Sequence, residues 1–302
     1  MAYTSLTEAP HNLKEAVDWL VALKGTDAEK NLAALGEAVH KFLVKRPVGY
    51  TEIPALEAVK LITKEFLEKP RLQGLWYVKD MLEKFNGNMD KTHDVWLKRQ
   101  TANYHSDYEN IIQTAGIERT DMIKNVTDIV DAYEKLLEGV KIPSLYKSAY
   151  TSEATWDASC AKDPRECALV LVGIAPMLYA GLRSVWDSAR TAIENGPESY
   201  AERALGDVLK AVGYDGHGCR GTVSSSAIRD STGDVYPYVL DKVYDIAGFW
   251  AFYGQANTQA AEPVKTRKFY MANREVYGIP GVDVDMGLVN AWNYKKGKKS
   301  AK

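Results

Sequence analysis

"HNLKEAVDWLVALKGTDAEKNLAALG", residues 11–36, decides the fold class. Leu13, Val17, Leu20 and Val21 recur at helical spacing, while Lys14, Glu15 and Asp18 fall on other faces. Asn12 suits a helix N-cap, because its side chain can accept from an unpaired N–H of the first turn. Gly25 suits the left-handed conformation that closes a helix. Thr26 and Glu29 then form a T-x-x-E capping box for a second helix. Its apolar stripe is Leu32, Leu35, Val39, Phe42 and Leu43, and Pro47 and Gly49 stop it. The stretch reads as a helical hairpin with a tight turn.

The same pattern continues along the chain. Pro54 stands where a first helical residue would, followed by Leu56, Val59, Ile62 and Phe66, with Pro70 beyond. Leu75, Val78, Leu82 and Phe85 form the next stripe, ended by Asn86-Gly87. Residues 88–106 are polar and weakly patterned and read as loop, with room for a short helix; 107–114 read as a short helix. Met122, Val126, Ile129, Val130, Tyr133 and Leu137 mark a long amphipathic helix, with Gly139 as its cap. Residues 140–163 read as an irregular connection. Asp163-Pro164-Arg165-Glu166 is a helix start, and that helix extends to Glu194 with a kink expected at Pro176. Helices follow at 199–212, around Val239–Trp250, at 266–277 and at 284–294. "GYDGHGCRGTVSSS", residues 213–226, reads as loop.

No long stretch alternates apolar and polar residues, and no Asn-Gly or Asp-Gly turn joins two β-branched runs. The expectation is an all-α, irregular multi-helix bundle of about ten helices. It divides into an N-terminal helical domain, 1–140, and a C-terminal one, 141–302, or forms one domain throughout. Trp19, Leu20, Leu35, Phe42, Ile129 and Leu171 are expected to be buried.

Composition narrows the functional classes. The chain has 302 residues, 46% hydrophobic and 26% charged, as in a globular protein. A net charge of −2 gives no basic footprint, so nucleic acid is not an expected partner. The N-terminus has neither a basic n-region nor an apolar h-region, so no secretory signal is read. The apolar run "CALVLVGIAPMLYAGL", residues 167–182, is shorter than the roughly 20 residues of a spanning helix and contains Pro176. It is expected to be a buried core helix, with membrane association only through a separate anchor or partner. The basic tail "NYKKGKKSAK" is either a solvated terminus or a weak contact for an anionic surface.

Signs of catalytic or metal chemistry are weak. Cys160 and Cys167 are candidates for a disulfide closing a short loop; three reduced thiols, with Cys219, are the alternative. His217 stands near Cys219, but no C-x-x-C or H-E-x-x-H accompanies them. "GYDGHGCRG" lacks the G-K-[ST] of a phosphate loop, and "DVDMG", 283–287, lacks most oxygen ligands of a calcium loop. "VSSSA", 223–227, has no nucleophile elbow. The acceptor pattern Asn125-Val126-Thr127 falls inside a predicted helix. No catalytic residue, metal ligand or cofactor is therefore assigned.

"LTEAPHNLKEAVDWLVALKGTD", residues 6–27, resembles the N-terminal motif of the variant erythrocyte surface antigen family of babesial parasites. The close features are Pro10, Asn12-Leu13-Lys14-Glu15-Ala16, Asp18-Trp19 and Lys24-Gly25. "SEATWDASC" at 152–160, "CALVLVGIAPMLYAGLR" at 167–183 and "LGDVLKAVGYD" at 205–215 also look like members of the related multigene families. The resemblance implies a non-enzymatic antigen exported to the infected erythrocyte or displayed on its surface. There it would act in antigenic variation and adhesion, with host-cell or parasite proteins as partners. The alternative is a soluble structural or binding protein of the same multigene family in the parasite or host cytosol. The displayed antigens are longer, richer in cysteine and anchored near the C-terminus; this chain has three cysteines.

Overall fold

A computed structural model describes residues 2–45, 53–86, 112–113, 116–196, 199–215, 225–233 and 236–250. Ten helices are formed among them: α1 Leu13–Lys24, α2 Ala28–Leu43, α3 Pro54–Leu67, α4 Trp76–Asn86, α5 Arg119–Val140, α6 Trp156–Ser159, α7 Pro164–Asn195, α8 Tyr200–Ala211, α9 Ser225–Thr232 and α10 Tyr236–Trp250. The described residues contain no strand, only a single β-bridge between Tyr3 and Tyr150. The fold is all-α. The helices expected at 266–277 and 284–294, the loop 88–106, and all but residues 112–113 of the helix expected at 107–114 (its residues 112–113 are helical) lie outside the described residues.

Two helices organise the packing. The first half of α7, from Cys167 to Leu182, is buried on every side, as its unbroken apolar sequence demands. Helix α5 buries one stripe, from Met122 through Val126, Ile129, Tyr133 and Leu137 to Val140. Helices α1, α2, α9 and α10 each pack on both α5 and α7, while α3, α4 and α8 pack on α7. One hydrophobic core therefore crosses residue 140, and Met1–Val264 forms one compact unit. The six residues expected to be buried are all 3% exposed or less.

The start and stop signals act largely as the chemistry of helix ends predicts. The Asn12 side chain accepts from Glu15 N–H at 3.0 Å, and Gly25 closes α1 at φ 53°. Asp163 caps α7 before Pro164, and Gly196 closes it at φ 82°. Four expectations need correction. The N-cap of α2 is Asp27, not Thr26, and its side chain makes no capping bond. Gly139 does not end α5, which runs to Val140. A Cβ there would stand 2.5 Å from Ser231 Oγ, so this glycine serves the close approach of α9 instead. The expected loop at 213–226 ends at helix α9, which begins at Ser225 and anchors itself through fully buried Ile228. The connection at 140–163 contains α6, whose N-cap Thr155 accepts from Ala158 N–H at 3.3 Å.

Helix α7 runs through Pro176, which leaves the Val172 carbonyl without its helical donor. One residue along, Thr63 Oγ1 of α3 donates to the Gly173 carbonyl at 2.8 Å, deep in the core. Thr63→Val keeps the shape and removes the donor. We expect it to cost about 1 kcal/mol in urea denaturation, the net worth of one buried hydrogen bond.

Candidate functional site

The residues of the opening motif build a polar clasp. Asp18, 2% exposed, accepts from Lys14 Nζ at 2.8 Å, from Tyr146 Oη at 2.6 Å and from Ala149 N–H at 2.8 Å. Lys14 Nζ also donates to the Lys147 carbonyl at 2.9 Å and lies 4.8 Å from the centre of the Tyr146 ring. Tyr3 Oη donates to Glu15 at 2.8 Å, and the Tyr3 ring stacks on Tyr150 with centroids 4.6 Å apart. Trp19 Nε1 donates to the Leu6 carbonyl at 2.8 Å. Lys24 bridges Asp131 at 3.0 Å and Glu134 at 2.6 Å on α5. A Cβ at Gly181 of α7 would meet Leu13 at 2.9 Å. Asn12, Leu13, Lys14, Glu15, Asp18, Trp19, Lys24 and Gly25 thus all have structural work. The motif is scaffold, and the candidate site lies elsewhere.

That site is the second half of α7, where the buried helix turns amphipathic. Arg183, Asp187, Arg190 and Glu194 follow at i, i+4, i+7 and i+11, so one stripe carries alternating charge. At its start, the Arg183 guanidinium lies 4.7 Å from the centre of the Trp76 ring and 4.6 Å from that of Tyr77. It donates to Tyr179 Oη at 2.6 Å and pairs with Asp187 at 3.6 Å. Trp76 is 48% exposed, so this stack reaches the surface. At the far end, Trp186, Ala189, Arg190, Ile193, Glu194 and Arg229 line a shallow groove of about 200 Å³. Tyr179 also meets Tyr244 of α10, with centroids 5.4 Å apart.

Several groups around this stripe titrate abnormally. Burial pushes the Asp187 carboxyl above the usual carboxylate range, against the opposing charges of Arg183 and Arg190. Burial also pushes the Tyr77 phenol up, reinforced by Asp187 and opposed by Arg183, and its hydroxyl has no hydrogen-bond partner among the described residues. On α10, burial and the charge of Asp241 push Asp245 up to about 6. Its folded pKa therefore exceeds the ordinary 3.8, and the folded state holds a proton that the unfolded state releases. The resulting stability is full below about pH 4 and is lost as pH rises through about 6. Asp245→Asn should remove that falling component. Denaturation of both proteins from pH 4 to 7 checks this: the stability of the variant relative to the parent should rise with pH.

Of the residues singled out by sequence, Cys160 and Cys167 are brought together. They form a disulfide with Cα atoms 5.9 Å apart. Cys219, His217, His93, His105 and residues 283–287 lie outside the described residues. His40 faces the Ile117 carbonyl at 3.2 Å, and His11 is exposed at the start of α1. Among the described residues, no group of three His, Cys, Asp or Glu side chains is placed to hold a metal. No sequence motif marks the stripe on α7 as a site. Its helical charge spacing was visible, but Trp76 and Arg229 join it only through the fold. No protein-family model, curated protein or solved structure matches the chain.

Proposed function

We propose that this protein is a non-enzymatic interaction scaffold, an exported or surface-displayed antigen of a babesial parasite that acts in antigenic variation and adhesion of infected erythrocytes. Two things support the reading: the resemblance of residues 6–27 to that antigen family, and the aromatic–arginine face of α7. The face is the observation that carries the scaffold role. Trp, Tyr and Arg are the side chains that most often anchor protein interfaces. Here Trp76 of α4 joins Arg183, Trp186 and Arg190 along the second half of α7, whose first half is locked in the core, with Tyr77 buried against Arg183. The partner class is a host-cell or parasite protein.

The Cys160–Cys167 disulfide supports an oxidising location over the cytosol. A member of the same multigene family in the parasite or host cytosol is the second reading. Helix α7 is long and apolar enough to cross a membrane, yet 94% of its apolar window is buried within the fold. That favours membrane association through a separate anchor or a partner. Antibody labelling of infected erythrocytes, intact and then permeabilised, tests the two. Labelling of intact cells that mild external proteolysis removes is the expected result. Labelling only after permeabilisation would overturn display and leave the cytosolic reading.

A further inference from the structure

We infer that the N-terminal strap, residues 2–12, and the Cys160–Cys167 disulfide form one redox latch: the strap shields the sulfurs from thiol reductants, and the sulfur bridge holds the platform on which the strap docks. The junction is Leu6, which is fully buried. Its N–H donates to Ser159 Oγ at 3.0 Å, and its carbonyl accepts from Trp19 Nε1 at 2.8 Å. Cys167 Sγ lies 3.9 Å from that same carbonyl oxygen. One strap residue therefore touches α6, α1 and the disulfide together.

Ser159 is the last residue of α6, a four-residue helix too short to hold its own position. Cys160 follows it directly, and the disulfide ties that point to the first turn of α7. The acceptor for Leu6 N–H is thus placed by the sulfur bridge. Further out, Tyr3 N–H donates to the Ala149 carbonyl at 2.8 Å and Thr151 N–H to the Tyr3 carbonyl at 2.9 Å. Those two bonds and the Tyr3–Tyr150 stack fix the start of the strap, and Leu6 fixes its middle. Both cysteines are 0% exposed, and Leu6 of the strap lies against Cys167, so the strap forms part of the cover that a thiolate must pass.

Opening is thermodynamically reciprocal: whatever strap docking does for the disulfide, the disulfide does for docking. With the strap lifted, the thiolate of a small dithiol attacks one sulfur and forms a mixed disulfide. The second thiolate of the same molecule resolves it. Cys160 and Cys167 leave as two thiols, and the dithiol leaves as its own cyclic disulfide, two electrons having passed to the protein. An oxidising space keeps the strap closed, and a reducing one releases it.

Two measurements on the full chain test the latch. In the first, excess dithiothreitol reduces the native protein, and labelling of the Cys160 and Cys167 peptides is followed by mass spectrometry. Ser159→Ala and Leu6→Ala should each be reduced roughly tenfold faster than the parent, while Thr63→Val, which removes a core bond to Gly173 and no strap contact, should not. Equal rates in all four proteins, or equal acceleration in all three variants, would overturn the shielding. In the second, amide exchange of residues 2–12 is compared with that of α5 before and after reduction, and in Cys160→Ser/Cys167→Ser. The strap should exchange at least about tenfold faster once the bridge is gone, with α5 unchanged. An unchanged strap, or an equal rise in α5, would make the disulfide a simple staple. Where the double variant does not fold, the reduced native protein gives the same reading.

Discussion

Asp18→Ala should lower the unfolding free energy by about 3 kcal/mol, the low end of what removing one partner of a buried ion pair costs. The carboxylate is almost wholly enclosed and accepts from Lys14 Nζ, Tyr146 Oη and Ala149 N–H. Alanine leaves all of these donors without that acceptor. Lys14 recovers part of the loss, because its ammonium keeps the Lys147 carbonyl and some solvent. The Ala149 N–H has no such recourse, and its neighbours form the docking edge for Tyr3. Asp18→Asn keeps one accepting oxygen and the side-chain volume, so it should cost roughly half as much. For a chain of 302 residues each kcal/mol moves the melting temperature by about 1.5–2 °C, so Asp18→Ala should melt about 5–6 °C lower. A Tyr146→Phe variant completes a double-mutant cycle, in which the two changes should cost less together than the sum of each alone. An Asp18→Ala protein within about 0.5 kcal/mol of the parent would mean the clasp is ornamental.

Asp18 also marks the limit of what a sequence can tell. The spacing of Leu13, Val17, Leu20 and Val21 places Asp18 off the apolar stripe, which is correct as helical geometry. It does not follow that the polar face meets water. Residues 146–149, more than a hundred positions away, fold over that face and bring a phenol, a carbonyl and an amide to it. Nothing local announces such a return. Long amphipathic helices were legible because periodicity accumulates over several turns: α1, α2, α3, α4, α5 and α7 all stand close to where their stripes place them. Helices α6 and α9 were not, having four and eight residues. Glycine was ambiguous in the same way. Gly25 and Gly196 end helices with positive φ, whereas Gly139 lies within the last turn of α5, where a neighbour leaves no room for a Cβ. Only the partner element separates those two uses. The aromatic–arginine face of α7 has the same origin: its charges are spaced along one helix, but its aromatic wall comes from α4.

Gly36→Ala turns that distinction into a measurement. In an open helix the change is stabilising, because alanine is favoured over glycine by about 1 kcal/mol. Gly206 of α8 offers that case: a Cβ there would meet nothing within 4 Å, and Gly206→Ala should gain up to about 1 kcal/mol. At Gly36 of α2 a Cβ would stand 2.5 Å from Ile123 Cα and 3.0 Å from Ile123 N on α5. The obstacle is backbone, so no rotamer change can clear it, and one helix must shift away from the other. Helix α2 packs on α7 as well as α5, so a shift that relieves one contact disturbs the other. Overpacking of this kind costs typically 1–3 kcal/mol and more where the obstacle is rigid. Against the propensity gain, the upper end of that range leaves a net loss of about 2 kcal/mol. The same chemical change should therefore carry opposite signs at the two sites in urea denaturation. A Gly36→Ala protein as stable as the parent would show that α2 and α5 cross more loosely than this packing requires.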